Sequence, residues 1–272
     1  MQQQKIAFIG AGNMTHSIIS GLIAKHYPGS HIMASNPSSQ KLEALKSNLG
    51  ILTTNDNDEA IEWADIVILS VKPQIMAQVC GALNKKDITN KLFVTLAAGI
   101  PSQRYHDYLD APVRLIRVMP NTPSLLGLGM SGLYAGAAVT NDDKIVVSQI
   151  ISAVGEILWV DDEKQIDSII ACSGSSPAYF FLMMEYMQQS AMSMGLTGDE
   201  ARQLIQQAAL GAAEMVRHNG HLELSELRKQ VTSKGGTTHA AIETFKEQGF
   251  DNMVDNAMKN AVKRADEMAK EF

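Results

Sequence analysis

The segment Ile6-Ala7-Phe8-Ile9-Gly10-Ala11-Gly12-Asn13-Met14-Thr15 has the residue types of a phosphate cradle. An apolar run ends in a glycine turn and passes directly into a helical pattern. Gly10 permits the tight turn, Gly12 lets the backbone approach a pyrophosphate, and free amides at the helix start favour negative charge. The third small position of the usual G-x-G-x-x-G is Thr15, a branched residue that packs less closely on a strand than glycine or alanine. A glycine turn can be only a turn. Here it closes the first strand of an alternating β/α pattern, which is the context the dinucleotide-binding motif requires.

A second strand should end beside the adenosine ribose, where an NAD-preferring site usually offers a carboxylate. This one ends Ala34-Ser35-Asn36-Pro37-Ser38, with no acid. Hydroxyl and amide groups can donate to a 2′-phosphate that a carboxylate would repel, so Ser35 and Asn36, with Lys41, favour NADPH. The other reading is a polar loop indifferent to that phosphate. Ser70-Val71-Lys72-Pro73 and Leu96-Ala97-Ala98-Gly99 follow further strands, and ligands of open α/β sheets gather at such carboxyl ends. Lys72 reads either as a cofactor contact or as a solvated lysine. The small residues after Leu96 leave room for a nicotinamide ring against backbone.

Two later segments carry unusual chemistry for helix starts. They are Ser173-Gly174-Ser175-Ser176-Pro177-Ala178-Tyr179 and Gln230-Val231-Thr232-Ser233-Lys234-Gly235-Gly236-Thr237-Thr238-His239-Ala240. Each offers amides and hydroxyls suited to a small carboxylate; ordinary capping is the alternative for both. His239 is a candidate general acid by residue type, yet it follows Thr238 on the new helix and should face elsewhere. His16 reads as a surface or helix residue. The seven histidines show no metal-ligand spacing, and Cys80 and Cys172, far apart, read as two small buried hydrophobes.

The elements that must position these groups fall into two grammars. Apolar runs at residues 5–9, 31–35, 66–71, 93–97, 115–119, 130–135 and 156–160 alternate with helical patterns at 13–25, 38–48, 74–83 and 142–154. That alternation predicts a doubly wound, mostly parallel sheet of the Rossmann type over residues 1–160. Beyond residue 160 the strand signals stop. Ala201, Leu204, Ile205, Ala208, Ala212, Met215 and Val216 share one helical face, after a capping box at Thr197-Gly198-Asp199-Glu200. Phe250, Met253, Val254, Ala257, Met258, Ala261, Val262, Ala265 and Met268 trace a second stripe. Residues 161–272 therefore read as an all-helical domain, whose apolar stripes exceed what a small helical lobe buries alone. The expectation is an α/β chain with an all-α second domain that forms a homo-oligomer.

Composition narrows the class further. The 272 residues are 45% hydrophobic and 19% charged, with a formal net charge of −6. That balance provides no long-range attraction to nucleic acid or to an anionic membrane. The first residues enter a strand pattern without the apolar core of a signal peptide, and no run is long enough to span a membrane. These features predict a cytoplasmic protein.

Taken together, the motifs resemble those of the pyrroline-5-carboxylate reductases, the last enzymes of proline biosynthesis. The matching pieces are Gly10-Ala11-Gly12-Asn13-Met14, Val71-Lys72-Pro73, Ala97-Ala98-Gly99-Ile100, Arg117-Val118-Met119-Pro120-Asn121-Thr122-Pro123, Ser173-Gly174-Ser175, Pro177-Ala178-Tyr179 and Val231-Thr232-Ser233-Lys234-Gly235-Gly236-Thr237-Thr238. They span nearly the whole chain. Ser176 stands where a glycine is common, Thr15 where a small residue is, and Gln230 where some members have asparagine.

The resemblance implies hydride transfer from NADPH, or alternatively NADH, to the imine carbon of a cyclic imine carboxylate, with no metal. It implies cofactor contacts at Ile9, Gly10, Ala11, Gly12, Asn13 and Met14, and at Ser35, Asn36, Pro37 and Asn57. Further contacts are implied at Ser70, Val71, Lys72 and Pro73, at Ala97, Ala98 and Gly99, and at Asn121. The substrate falls to Glu163, Ser173, Gly174, Ser175, Gly235, Gly236, Thr237 and Thr238. Thr238, or water relayed through it, is then the proton source, and the helical half forms a dimer or a ring of dimers. Two other readings stand beside this one. A hydroxyacid or imine reductase of the same plan is the first, although Lys229 and Lys234 lie in or near loops rather than within a helix. A dinucleotide-sensing protein without turnover is the second.

Overall fold

The computed structural model describes residues 4–84, 86 and 88–271. Eight strands form one sheet: β1 (Ile6–Ile9), β2 (Ile32–Ser35), β3 (Leu52–Thr54), β4 (Ile66–Leu69), β5 (Leu92–Thr95), β6 (Arg114–Met119), β7 (Gly129–Ala135) and β8 (Gly155–Val160). Their spatial order is β3-β2-β1-β4-β5-β6-β7-β8. The first six run parallel, β7 pairs antiparallel with β6, and β8 pairs parallel with β7. The chain moves outward from β1 to β2 and β3, then returns to β4 on the other side of β1. That reversal is the switch point at which doubly wound sheets leave a crevice.

Why the sheet is covered on both faces follows from the strand residues. β1 sends Ile6 and Phe8 to one side and Ala7 and Ile9 to the other, and all four are buried. On the first side lie α1 (Asn13–Ala24), α2 (Ser39–Leu49) and α6 (Asn141–Ile151), which contribute Ile18, Ile19, Leu22, Leu42, Leu45, Val147 and Ile150. On the second side α3 (Asn57–Trp63), α4 (Pro73–Ala82) and α5 (Ser102–Leu109) contribute Ala60, Ile61, Met76, Cys80, Tyr105 and Leu109. The expected strands and helices all appear, with ends shifted by a few residues. β3, α3 and α5 have no counterpart among them. β3 is three residues long, too short to display a period. α5, Ser-Gln-Arg-Tyr-His-Asp-Tyr-Leu, buries only Tyr105 and Leu109, with Tyr108 half-buried beside them.

After β8 come α7 (Gln165–Ile169), a π-helical turn (Ile170–Gly174), α8 (Ser176–Ser193), α9 (Gly198–His218), α10 (Leu224–Gln230), α11 (Thr237–Glu247) and α12 (Phe250–Glu271). The expected capping box opens α9: Thr197 Oγ1 accepts from the Glu200 amide and the Glu200 carboxylate accepts from the Thr197 amide.

Two compact units result, one of residues 1–177 and 260–272, the other of residues 178–259. The division thus falls later than position 160. α7 and the π turn pack on β7, where Ile169 fills the space that a Cβ on Gly132 would take. The last turns of α12 also belong to the sheet unit. Within the second unit, Ala201 is the only buried hydrophobic among the described residues, whereas Phe180, Phe181, Tyr186, Leu204, Leu210 and Met253 are exposed.

Cys172 is exposed, contrary to expectation, on the outer side of the π turn whose Ile170 and Ala171 are buried, while Cys80 is buried as expected. No helix among the described residues is long and apolar enough to cross a membrane.

Phe93 at the centre of β5 is fully buried. Phe93→Ala is expected to lower unfolding free energy by about 3–5 kcal/mol in urea titration at constant m-value.

Candidate active site

The cradle is built as its residues require. Gly10 has φ +109°, and a Cβ there would meet Ser70 O at 2.7 Å, so only glycine fits. Gly12 is the N-cap of α1, and a Cβ built on it meets nothing within 4 Å. α1 has no side-chain cap and no acid in its first turn. Its first amides therefore point at open space with no internal acceptor, the state in which a helix start attracts an anion. The free amides and the space above Gly12 fit a pyrophosphate.

Thr15 departs from the motif yet has a defined job. It is fully buried; its hydroxyl donates to Gly10 O at 2.8 Å and shares a 2.8 Å hydrogen bond with Ser70 Oγ. One side chain thus links the glycine turn to the loop after β4. The Gly10 amide donates to Ser35 O and the Ala11 amide to Asn36 Oδ1, so the turn is also tied to the end of β2.

Several expected contacts take a different place. Ser35 is fully buried and its hydroxyl donates to Asn57 Oδ1 at 2.7 Å. It has no hydrogen left for a 2′-phosphate. The exposed donors beside it are at the start of α2, where Ser38 makes no side-chain cap, no acid occupies the first turn, and Lys41 is exposed. Asn121 is buried: Nδ2 donates to Ser173 O at 3.0 Å and Oδ1 accepts from the Met130 amide at 2.9 Å. It fastens the π turn to β7, with one Nδ2 hydrogen and one Oδ1 lone pair engaged there.

Pro37 and Lys72 are exposed, Val71 and Pro73 half-buried, and Pro73 takes the first turn of α4, where a missing amide hydrogen costs nothing. Among the small residues after β5, Ala98 is half-exposed. Gly99 is covered: it has φ +75°, and a Cβ there would lie 2.8 Å from Met268 Cβ.

Glu163, expected at the substrate, has both carboxylate oxygens engaged within the sheet unit. Oε1 accepts from the Ser102 amide at 2.6 Å and from Arg117 Nη1 at 2.7 Å, and Oε2 accepts from Ser102 Oγ at 2.7 Å. Arg117 is 5% exposed, and a charge this buried requires its partner. Beside it, Tyr105 Oη and Thr95 Oγ1 share a 2.5 Å hydrogen bond, and burial pushes the Tyr105 hydroxyl well above the usual phenol range.

Ser102, Tyr105 and Thr95 were not marked by sequence spacing, and Thr15 was marked only as a departure from the glycine motif. Arg117 was marked only as part of the Met-Pro-Asn-Thr-Pro stretch. Ser173 Oγ donates to Ile169 O, the Ser175 amide donates to Ile170 O, and a Cβ on Gly174 would meet Met119 Cε at 2.6 Å. The serine segment is therefore part of a π turn rather than an open loop, and such turns are frequent at functional sites.

In the second unit, Gly235 has φ +77° and Gly236 is the N-cap of α11, with no side-chain cap and no acid in the first turn. Thr237 and Thr238 are exposed there. His16 is exposed on α1 and His239 is half-buried on α11. Among the described residues no group of three or more His, Cys, Asp or Glu side chains is placed to hold a metal ion.

Comparison with known proteins fits this arrangement. The family described as "Pyrroline-5-carboxylate reductase dimerisation" matches residues 163–268, and "NADP oxidoreductase coenzyme F420-dependent" matches residues 5–99. A pyrroline-5-carboxylate reductase of Vibrio alginolyticus is 53% identical over the full length of both chains, and that of Haemophilus influenzae 43% identical over 98% of each. The chain belongs to the pyrroline-5-carboxylate reductase family.

The solved reductase structure from Coxiella burnetii superposes with a TM-score of 0.92 at 39% identity, covering 98% of this chain and 99% of that one. A Plasmodium falciparum pyrroline carboxylate reductase with NADP bound superposes with a TM-score of 0.88 at 26% identity and 99% coverage of both. A reductive aminase of Aspergillus terreus, 18% identical with a TM-score of 0.62 over 97% of this chain and 94% of that one, shares the fold alone.

Asp167, near Arg117, Asp266 and Glu163, has its pKa raised above the ordinary carboxylate value, chiefly by burial. A carboxyl whose native pKa is raised stabilises the fold below its unfolded pKa and loses that contribution as pH rises through the native one. Asp167→Asn is expected to melt at a higher temperature than the parent at pH 7. The difference should close as pH falls below about 4, as calorimetry across pH can test.

Proposed function

We propose that this chain reduces 1-pyrroline-5-carboxylate to L-proline with NADPH. The observation that carries the reading is the pair of uncapped, acid-free helix starts at α1 and α11. The first suits a pyrophosphate and the second a small carboxylate. A reduced nicotinamide, when bound, supplies the hydride. The chain's own residues hold and orient. The amides of Asn13 and Met14, at the start of α1, hold the pyrophosphate, and the space above Gly12 admits it. The α2 start and Lys41 meet the 2′-phosphate, in place of the buried Ser35.

The amides and hydroxyls of Thr237 and Thr238 hold the substrate carboxylate. The Thr238 hydroxyl, directly or through a water, keeps a proton at the ring nitrogen. A protonated imine is already electrophilic, so alignment supplies most of the acceleration, up to about 7–11 kcal/mol in ideal cases.

The helical unit works as a dimer of two copies of this chain. Its exposed Phe180, Phe181, Tyr186 and Leu204, against a single buried alanine, give it too little core to be stable alone. Phe181→Asp is expected to shift the sedimenting species to monomer and to lower the melting temperature. An unchanged sedimentation coefficient would place Phe181 outside the interface.

For the activity, steady-state reduction of pyrroline-5-carboxylate with NADPH and with NADH is the direct measurement, repeated with Thr238→Ala. The expected result is preference for NADPH and a loss in kcat of about 100-fold with cofactor affinity unchanged. Turnover on 2-oxo acids or acyclic imines, but not on pyrroline-5-carboxylate, would overturn the substrate assignment.

A further inference from the structure

The loop joining β5 to α5, residues 96–101, is held by two side chains from far along the chain. At its end, Ser102 is the first residue of α5, so its amide has no partner within the helix. Glu163 accepts from both that amide and the Ser102 hydroxyl, and the same carboxylate is fixed by buried Arg117 on β6. In the middle of the loop Gly99 takes a left-handed conformation with the Met268 side chain where its own Cβ would lie. Met268 sits on the last turns of α12, whose neighbouring Ala265 is 3% exposed. Near its start, the Leu96 amide donates to Leu69 O and the Ala97 amide to Thr95 Oγ1. The loop is thereby anchored at its start by the sheet and farther on by these two side chains. Glu163 opens the segment matched by the dimerisation family, and Met268 closes it.

We propose that Glu163 and Met268 are positioning residues that clamp the 96–101 loop and so fix the surface against which the nicotinamide ring lies. This rests on the cofactor placement of the preceding section. Neither side chain needs to touch substrate or cofactor. Glu163 acts through Ser102 and Met268 through Gly99. Misplacing a reacting atom by an ångström can cost about 100-fold in rate, so a loose loop should slow hydride transfer while leaving pyrophosphate binding at α1 intact.

The test pairs a readout on the protein alone with one on the reaction. Hydrogen exchange of the peptide covering residues 96–103, in the protein without cofactor, is compared for parent, Glu163→Gln, Met268→Ala and Met268→Leu. The two disruptive variants are expected to exchange at least about tenfold faster there, with the β1–α1 peptide unchanged. Met268→Leu, which keeps the bulk, should stay within about twofold of the parent. Single-turnover oxidation of NADPH should slow by about 10- to 100-fold in the disruptive variants, with the dissociation constant for NADPH within about twofold. A larger deuterium isotope effect from 4-deuterated NADPH should accompany the slowing.

Glu163→Gln removes the countercharge of buried Arg117. If it does not fold, Ser102→Ala, which loses one of the three bonds and leaves the ion pair, takes its place. Unchanged exchange at residues 96–103 in Met268→Ala and in the folded Glu163 or Ser102 variant would overturn the clamp. So would faster exchange with a parental hydride-transfer rate. A parent that binds NADPH yet turns over no pyrroline-5-carboxylate would refute the function instead, and the exchange experiment would still decide whether the loop is clamped.

Discussion

The parallel run of β2, β1, β4, β5 and β6 is the constraint on which the cofactor side of the site depends. Strands that share a direction end on the same edge, so the loops after β1, β2, β4 and β5 collect there whatever their separation in sequence. The register then sets fine distances. Ile9 pairs with Ser35 on one side and Leu69 on the other, which brings the Gly10 turn within hydrogen-bond reach of Ser35 O and, through Thr15, of Ser70. The cradle is rigid because three strand ends brace it, and a pre-formed anion site loses little entropy when it is filled.

The helix starts divide by chemistry. α3 opens on Asp56, α6 on Thr140 and α9 on Thr197, each with a side-chain oxygen on first-turn amides, and at the α10 start the Glu226 carboxylate accepts from the Glu223 amide. α1, α2, α4 and α11 carry no side-chain cap and no first-turn acid. An internal carboxylate would compete with phosphate or substrate for the same amides, so the open starts preserve the positive ends of those helices. α5 lies between the two groups. Its start is uncapped by its own residues and is satisfied by Glu163 from far along the chain. That converts what could be an anion site into a structural joint.

Much of the plan was legible from residue order. Ile6 and Phe8 alternate with Ala7 and Ile9, and a two-sided sheet follows. Thr197, three residues before Glu200, marks the α9 start, and the spacing of apolar residues marks α9 and α12. The illegible parts share a physical cause. β3 and α5 are too short to show a period and are fixed by neighbours. Ser35 and Asn121 look like free polar groups in a loop sequence, but each is paired with a residue 22 or 52 positions away.

The sequence by itself marked which backbone segments are suited to an anion, because glycine at Gly10 and Gly235 and the absence of first-turn acids are local properties that need no partner. The roles of Glu163, Asn121, Thr15 and Met268 were decided only by the tertiary structure. A carboxylate, an amide, a hydroxyl or a thioether serves binding or bracing according to what lies within about 3–4 Å of it, and that neighbour is chosen by the sheet register and by where α7 and the end of α12 pack. Chain order carries no record of such distances.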